Sequence, residues 1–223
     1  MLTVQTDEFL DAIKRGDTAR INQLLQGNPT LSNARENSGV SAIFLALYRG
    51  NKAGALAIAS KKPELDLFEA SALGDLERLK TIVNNDPTSV SSYSPDGFTA
   101  LALAAYLGQR ESVEYLVKKG ADLNAIARNE TGYTALTGAV SQNHNEIAKV
   151  LVKNGAQVNH GYEGGFTPLM HAAYAGNIDL VSFLLQNGAD PTAKSSEGKT
   201  PLTFAQEKNN DQIIELLRKH GSD

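Results

Sequence analysis

Gly165-Phe166-Thr167-Pro168-Leu169-Met170-His171-Ala172-Ala173-Tyr174-Ala175-Gly176-Asn177 decides how this chain folds. Thr167 can cap a helix, its hydroxyl accepting one of the orphan backbone N–H groups. Pro168 then falls at the first helical position, where its missing N–H costs nothing. Leu169, Ala172 and Ala173 lay an apolar stripe on one face at helical spacing. The alanines leave room for another helix to approach closely. Gly176 predicts a left-handed stop. A second helix follows, with Ile178, Val181, Leu184 and Leu185 on one side, and Gly188-Ala189-Asp190 ends it. Such a pair has one wet face and two dry ones, so it needs neighbours on both sides.

Those neighbours are present. Thr200-Pro201-Leu202 repeats Thr167-Pro168-Leu169 after 33 residues, Thr134-Ala135-Leu136 precedes it by 33, and Thr99-Ala100-Leu101 precedes that by 35. Gly-Ala-Asp or Gly-Ala-Gln recurs at Gly120, Gly155 and Gly188. This period, with its Thr-Pro-Leu, Ala-Ala and Gly-Ala-Asp elements, resembles the ankyrin repeat, two helices plus a hairpin turn. The resemblance implies an all-α ankyrin-repeat solenoid of about seven helix-turn-helix units with short β-hairpin loops. Such repeats usually serve as interaction modules, so it also implies binding of a protein or peptide on the concave face. One position departs from the family pattern. The usual His after Thr-Pro-Leu is replaced by Ala102, Thr137, Met170 and Thr203, so the inter-repeat hydrogen bond of that His is not carried over.

Gly16, Gly50, Gly74 and Gly108 each lie nine residues past a unit start. The frame is therefore one domain over 1–223, with units starting near 7, 41, 65, 99, 134, 167 and 200 and the first and last as caps. Asn28-Pro29 and Asp86-Pro87 supply alternative helix stops. Unit two is short, and Lys61-Lys62-Pro63-Glu64 runs straight into the helix of Leu67, Phe68 and Ala70. That predicts a notch in the row of hairpins. The segment around Arg128-Asn129-Glu130 is longer than its equivalents, so its tip is expected to protrude. In the last unit Ile213, Ile214, Leu216 and Leu217 face inward, while residues 206–211 are polar.

Composition narrows the function. The chain has 223 residues, 41 % of them hydrophobic, with a formal net charge of −4 and no cysteine. A mildly acidic chain carries no electrostatic footprint for nucleic acid or an anionic membrane. Lack of cysteine removes disulfides, thiolate catalysis and zinc fingers. The opening residues show no signal peptide, and the longest apolar run is too short to span a bilayer. A cytoplasmic monomer without cofactor or metal, and without enzymatic activity, is expected.

Two constellations remain. Gly198-Lys199-Thr200 ends a relaxed phosphate-loop pattern, which keeps a nucleotide-binding regulator or enzyme as the alternative. Against it, no buried strand precedes the loop, Pro201 follows, and the frame makes Thr200 a helix cap. The histidines His144, His160, His171 and His220 are too scattered for a metal site. His171 reads as half-buried and His144 as solvent-exposed. The second constellation is aromatic. The residue before each cap reads Val40, Glu64, Phe98, Tyr133, Phe166 and Lys199. The concave position, seven after each cap, reads Lys14, Tyr48, Ala72, Tyr106, Ser141, Tyr174 and Glu207. Phe98, Tyr106, Tyr133, Phe166 and Tyr174 thus form an expected partner-binding row, with Gln142 and Ser141 as polar rim and no deep cavity. Phe98 and Phe166 could partly complete the core, whereas exposed Tyr106 and Tyr174 are what interface anchors look like.

Overall fold

The computed structural model describes residues 2–221; Met1, Ser222 and Asp223, at the ends of the expected domain, lie outside them. In chain order its helices are α1 (Leu2–Lys14), α2 (Thr18–Gly27), α3 (Ala42–Tyr48), α4 (Lys52–Ala59), α5 (Leu67–Leu73), α6 (Leu76–Asn85), α7 (Ala100–Tyr106), α8 (Arg110–Lys118), α9 (Ala135–Ser141), α10 (Asn145–Lys153), α11 (Pro168–Tyr174), α12 (Ile178–Gln186), α13 (Pro201–Glu207) and α14 (Asp211–Lys219). The odd-numbered helices pack on one another as an inner row, and each even-numbered one packs outside its partner. This is an all-α repeat solenoid.

The caps set the frame. Ser41, Thr99, Thr134, Thr167 and Thr200 each accept the backbone N–H three residues on, and Pro168 and Pro201 stand at the expected first position. Two boundaries differ from expectation. α1 begins at Leu2, well before Asp7, because no turn signal interrupts the stretch ahead of Phe9. In unit three the cap is Asp66, one residue past Leu65, where a capping box with Glu69 closes the helix end. The shift by one leaves Leu65, not Glu64, next to the cap. It also accompanies an Ala72 that is fully buried, not exposed on the concave side.

Outer-helix starts show a trade. Asp17, Asn51, Asp75, Asn177 and Asn210 cap their own helices. Gln109 and His144 do not. Instead Gln109 Nε2 donates to the Ala72 carbonyl at 2.9 Å, and His144 Nε2 donates to the Tyr106 carbonyl at 3.1 Å. These bonds tie neighbouring repeats where the family's inner-helix His does not. His144 is therefore half-buried rather than solvent-exposed, because the Gly108 turn leaves its ring a seat. At the departing position itself, Thr137 and Thr203 bond back to their own caps.

The turns between units carry isolated bridges, Arg35–Ser41, Tyr93–Thr99 and Tyr162–Phe166, and no strand among the described residues. The connector from Ser60 to Asp66 has no bridge, in line with the expected notch. The long tip does not stand free. Arg128 N donates to the Gly97 carbonyl at 2.7 Å, and Asn129 Nδ2 to the Asp96 carbonyl at 2.7 Å.

The core divides at that notch. Phe9, Ile13, Ile21, Leu25, Ile43 and Ile58 belong to one cluster. A larger one runs from Leu67 to Leu217 and contains Leu101, Leu136, Leu169 and Leu202, all buried. Phe44, Ala72 and Leu103 form a small bridge between the two. The connector at the notch adds a buried ion pair with α5, Lys62 Nζ with the Glu69 carboxylate at 2.5 and 2.6 Å, the two side chains 8 % and 0 % exposed.

Candidate partner-binding cleft

Caps and inner helices bring the aromatic residues together, but in two groups rather than one row. In the first, Tyr106 at the end of α7 meets Phe98 and Tyr133, each the residue before a cap. They line a cleft of about 320 Å³ with Ala102, Leu103 and Gly138 along its floor. It is a half-open cleft. Gly138 explains part of it, since a side chain there would press on Tyr106, whose Cβ lies 3.4 Å from the position of an added Cβ. Phe98 also packs against the small bridging cluster, so the core reading holds for part of its ring.

Tyr48 is a lining residue that the sequence reading did not select. The signal was there, because it occupies the position in α3 that Tyr106 and Tyr174 occupy in α7 and α11. Its ring stacks on Phe44 at 5.8 Å, and its hydroxyl donates to Asp96 Oδ2 at 2.5 Å. Burial first, and then that bond to a carboxylate, push its pKa far up. Glu163, read only as turn, lines the same cleft, and no repeat position marked it.

The second group lies two units on. Phe166 packs on Phe204 with ring centres 5.0 Å apart, and Tyr174 meets Phe204 edge-on at 6.1 Å. Phe166 is partly buried against the core, as one reading allowed. Tyr174 stays 46 % exposed, with the Lys208 ammonium 4.0 Å from its ring centre.

Between the groups stands Tyr162, buried, its ring 4.7 Å from that of Tyr133. Its hydroxyl meets His171 Nδ1 at 3.1 Å. His171 is half-buried, and that burial lowers its pKa, with the Ser141 backbone opposing. Gln142 is exposed at the end of α9 and does not line the cleft.

The Gly198-Lys199-Thr200 stretch is committed elsewhere. Thr200 caps α13, and Lys199 Nζ pairs with Glu207 at 2.9 Å. The turn ahead of it is closed by Ser195 N on the Lys199 carbonyl. Among the described residues no helix is long and apolar enough to cross a membrane.

Comparison with known proteins points one way. Residues 67–162 match the family described as Ankyrin repeats (3 copies), and residues 151–205 match Ankyrin repeats (many copies). Together the matches cover more than half of the chain. Curated relatives include Ankyrin repeat and SAM domain-containing protein 6 of Rattus norvegicus, 41 % identical over 64 residues, and its counterpart in Danio rerio, 39 % identical over 64. Each alignment covers 29 % of this chain and 7 % or 9 % of the relative. The matched stretch thus spans under a tenth of those relatives' length.

Proposed function

Because the chain belongs to the ankyrin repeat family, whose repeats are generally protein–protein interaction modules, we propose that it binds a protein or peptide partner on the concave side of its inner helices. The centre of that surface is the cleft of Tyr48, Phe98, Tyr106 and Tyr133, with Tyr174 as a second anchor. One observation carries this reading: four aromatic rings, drawn from units two, four and five, line one open cleft. Tyrosine offers large contact area and a hydroxyl that water satisfies before binding. Tyr106, expected exposed, is half-buried like Phe98 and Tyr133, and aromatics that line a pocket in this way are the side chains in which binding energy concentrates.

The rest of the reading follows from the same surface and from composition. The protein works as a cytoplasmic monomer, without catalysis or cofactor, and does not engage nucleic acid or membrane. Its net charge of −4 supports that choice of partner. The nucleotide-binding alternative has no comparable support, since Lys199 and Thr200 already have partners.

The test is quantitative affinity capture from the native host, comparing the wild type with the Tyr106→Ala, Tyr174→Ala double variant. Folding is checked by circular dichroism. A partner held by the wild type should fall at least tenfold on the folded variant. Equal capture on both would move the site to another surface.

A further inference from the structure

The cleft is acidic as well as aromatic. Glu163 closes one side. Asp96 sits beside Tyr48, its two oxygens taken by the Tyr48 and Ser94 hydroxyls at 2.5 Å each. No lysine, arginine or histidine lines the cleft. Among the described residues Glu163 joins no ion pair; it is exposed at the rim of the cleft, so its carboxylate is open to a partner's cation beside the rings.

The chain places this carboxylate with some care. The Tyr162–Phe166 bridge spans Glu163, Gly164 and Gly165, which all have positive φ, 22°, 78° and 77°. Glycine adopts that region freely, while a non-glycine residue does so uncommonly. Such residues persist where surroundings hold them, often at binding sites. Here Glu163 N donates to the Thr131 carbonyl of the preceding turn at 3.1 Å. Its charge reaches the tyrosines. Burial is the largest cause raising the Tyr133 and Tyr162 pKa values, and Glu163 raises both further.

We propose that the cleft receives one arginine side chain from an extended segment of the partner, the guanidinium lying on the tyrosine rings and pairing with Glu163. This rests on the concave-face reading above. Arginine fits better than lysine for a physical reason. A guanidinium is planar and weakly hydrated, stacks on aromatic faces and meets a carboxylate with two parallel bonds. An ammonium is strongly hydrated and would lose that water against apolar walls. A cleft of about 320 Å³ is at the small end of ligand sites, suited to one long side chain. The same contact already occurs within the chain, where the Arg128 guanidinium carbon lies 3.8 Å from the centre of the Tyr93 ring.

The experiment selects a random dodecamer phage library on the full chain and measures the enriched peptides by fluorescence anisotropy. Enriched peptides should share an arginine. Replacing it with neutral citrulline should weaken binding at least tenfold, and Glu163→Gln should do the same to the arginine peptide. Peptides that share an apolar anchor and are weakened by Tyr106→Ala, but not by Glu163→Gln, would overturn the arginine assignment and leave the concave site standing. Selection of nothing, or of peptides indifferent to Tyr106→Ala, would overturn both.

Discussion

At the scale of the residue, the repeats depend on single side chains in equivalent places. Leu136 and Leu169 are 1 % and 0 % exposed, wedged between inner helices. Changing either to alanine should cost about 2–5 kcal/mol, the price of a cavity in a packed core. A urea melt showing a loss under about 1 kcal/mol would contradict that placement. His171 gives a pH-dependent counterpart. Its folded pKa lies below the ordinary 6.5 because burial disfavours the imidazolium. As pH falls through that ordinary value the unfolded chain takes up the proton first, so stability present above it is lost on acidification. The melting midpoint should therefore drop between pH 7.5 and 5, and His171→Gln should drop less. Parallel curves would remove His171 from the account. Leu136 and Leu169 were legible because the frame repeats them; His171 was legible as half-buried from its place on an inner helix. Glu163 and the seat of His144 were not, since both depend on a neighbouring unit's backbone that no local pattern describes.

At the scale of the element, caps were read well and joints less so. Thr99, Thr134, Thr167 and Thr200 announce their helices because a hydroxyl before an apolar run has one economical use. Asp66 lies one residue past the expected start, since α5 has the same seven residues as its equivalents but ends directly on Gly74 as its cap, without the extra residue that precedes Gly50, Gly108 and Gly176. The notch between units two and three was legible, because Lys61-Lys62-Pro63-Glu64 leaves too few residues for a hairpin. Its consequence, a divided core with Lys62 and Glu69 buried alongside, was not. Breaking that pair from one side should be severe. Lys62→Met strands the Glu69 carboxylate without water and should cost about 3–5 kcal/mol. Adding Glu69→Leu should recover most of the loss, short of about 1 kcal/mol for the capping-box bond to the Asp66 N–H. A double variant no better than the single one would mean the pair is not an isolated unit.

At the scale of the whole molecule, a stack of repeats can lose an end separately from its middle. The two main clusters meet at Leu65 and through the small group of Phe44, Ala72 and Leu103. Residues 7–60 should accordingly exchange amide hydrogens faster than residues 99–185. Uniform protection would show that the joint carries as much as any other interface. The order of the stack is legible in the sequence, since period and caps are local. The split of the aromatics into two groups is not, because Tyr162 and Phe204 draw the rings apart through contacts that no local pattern describes. The central claim concerns which face of the stack binds, and hydrogen exchange of the chain with and without its captured partner tests it most directly. The account predicts added protection in residues 96–106 and 129–142, around the cleft, with the outer helices α8, α10 and α12 unchanged. Protection confined to those outer helices would contradict it.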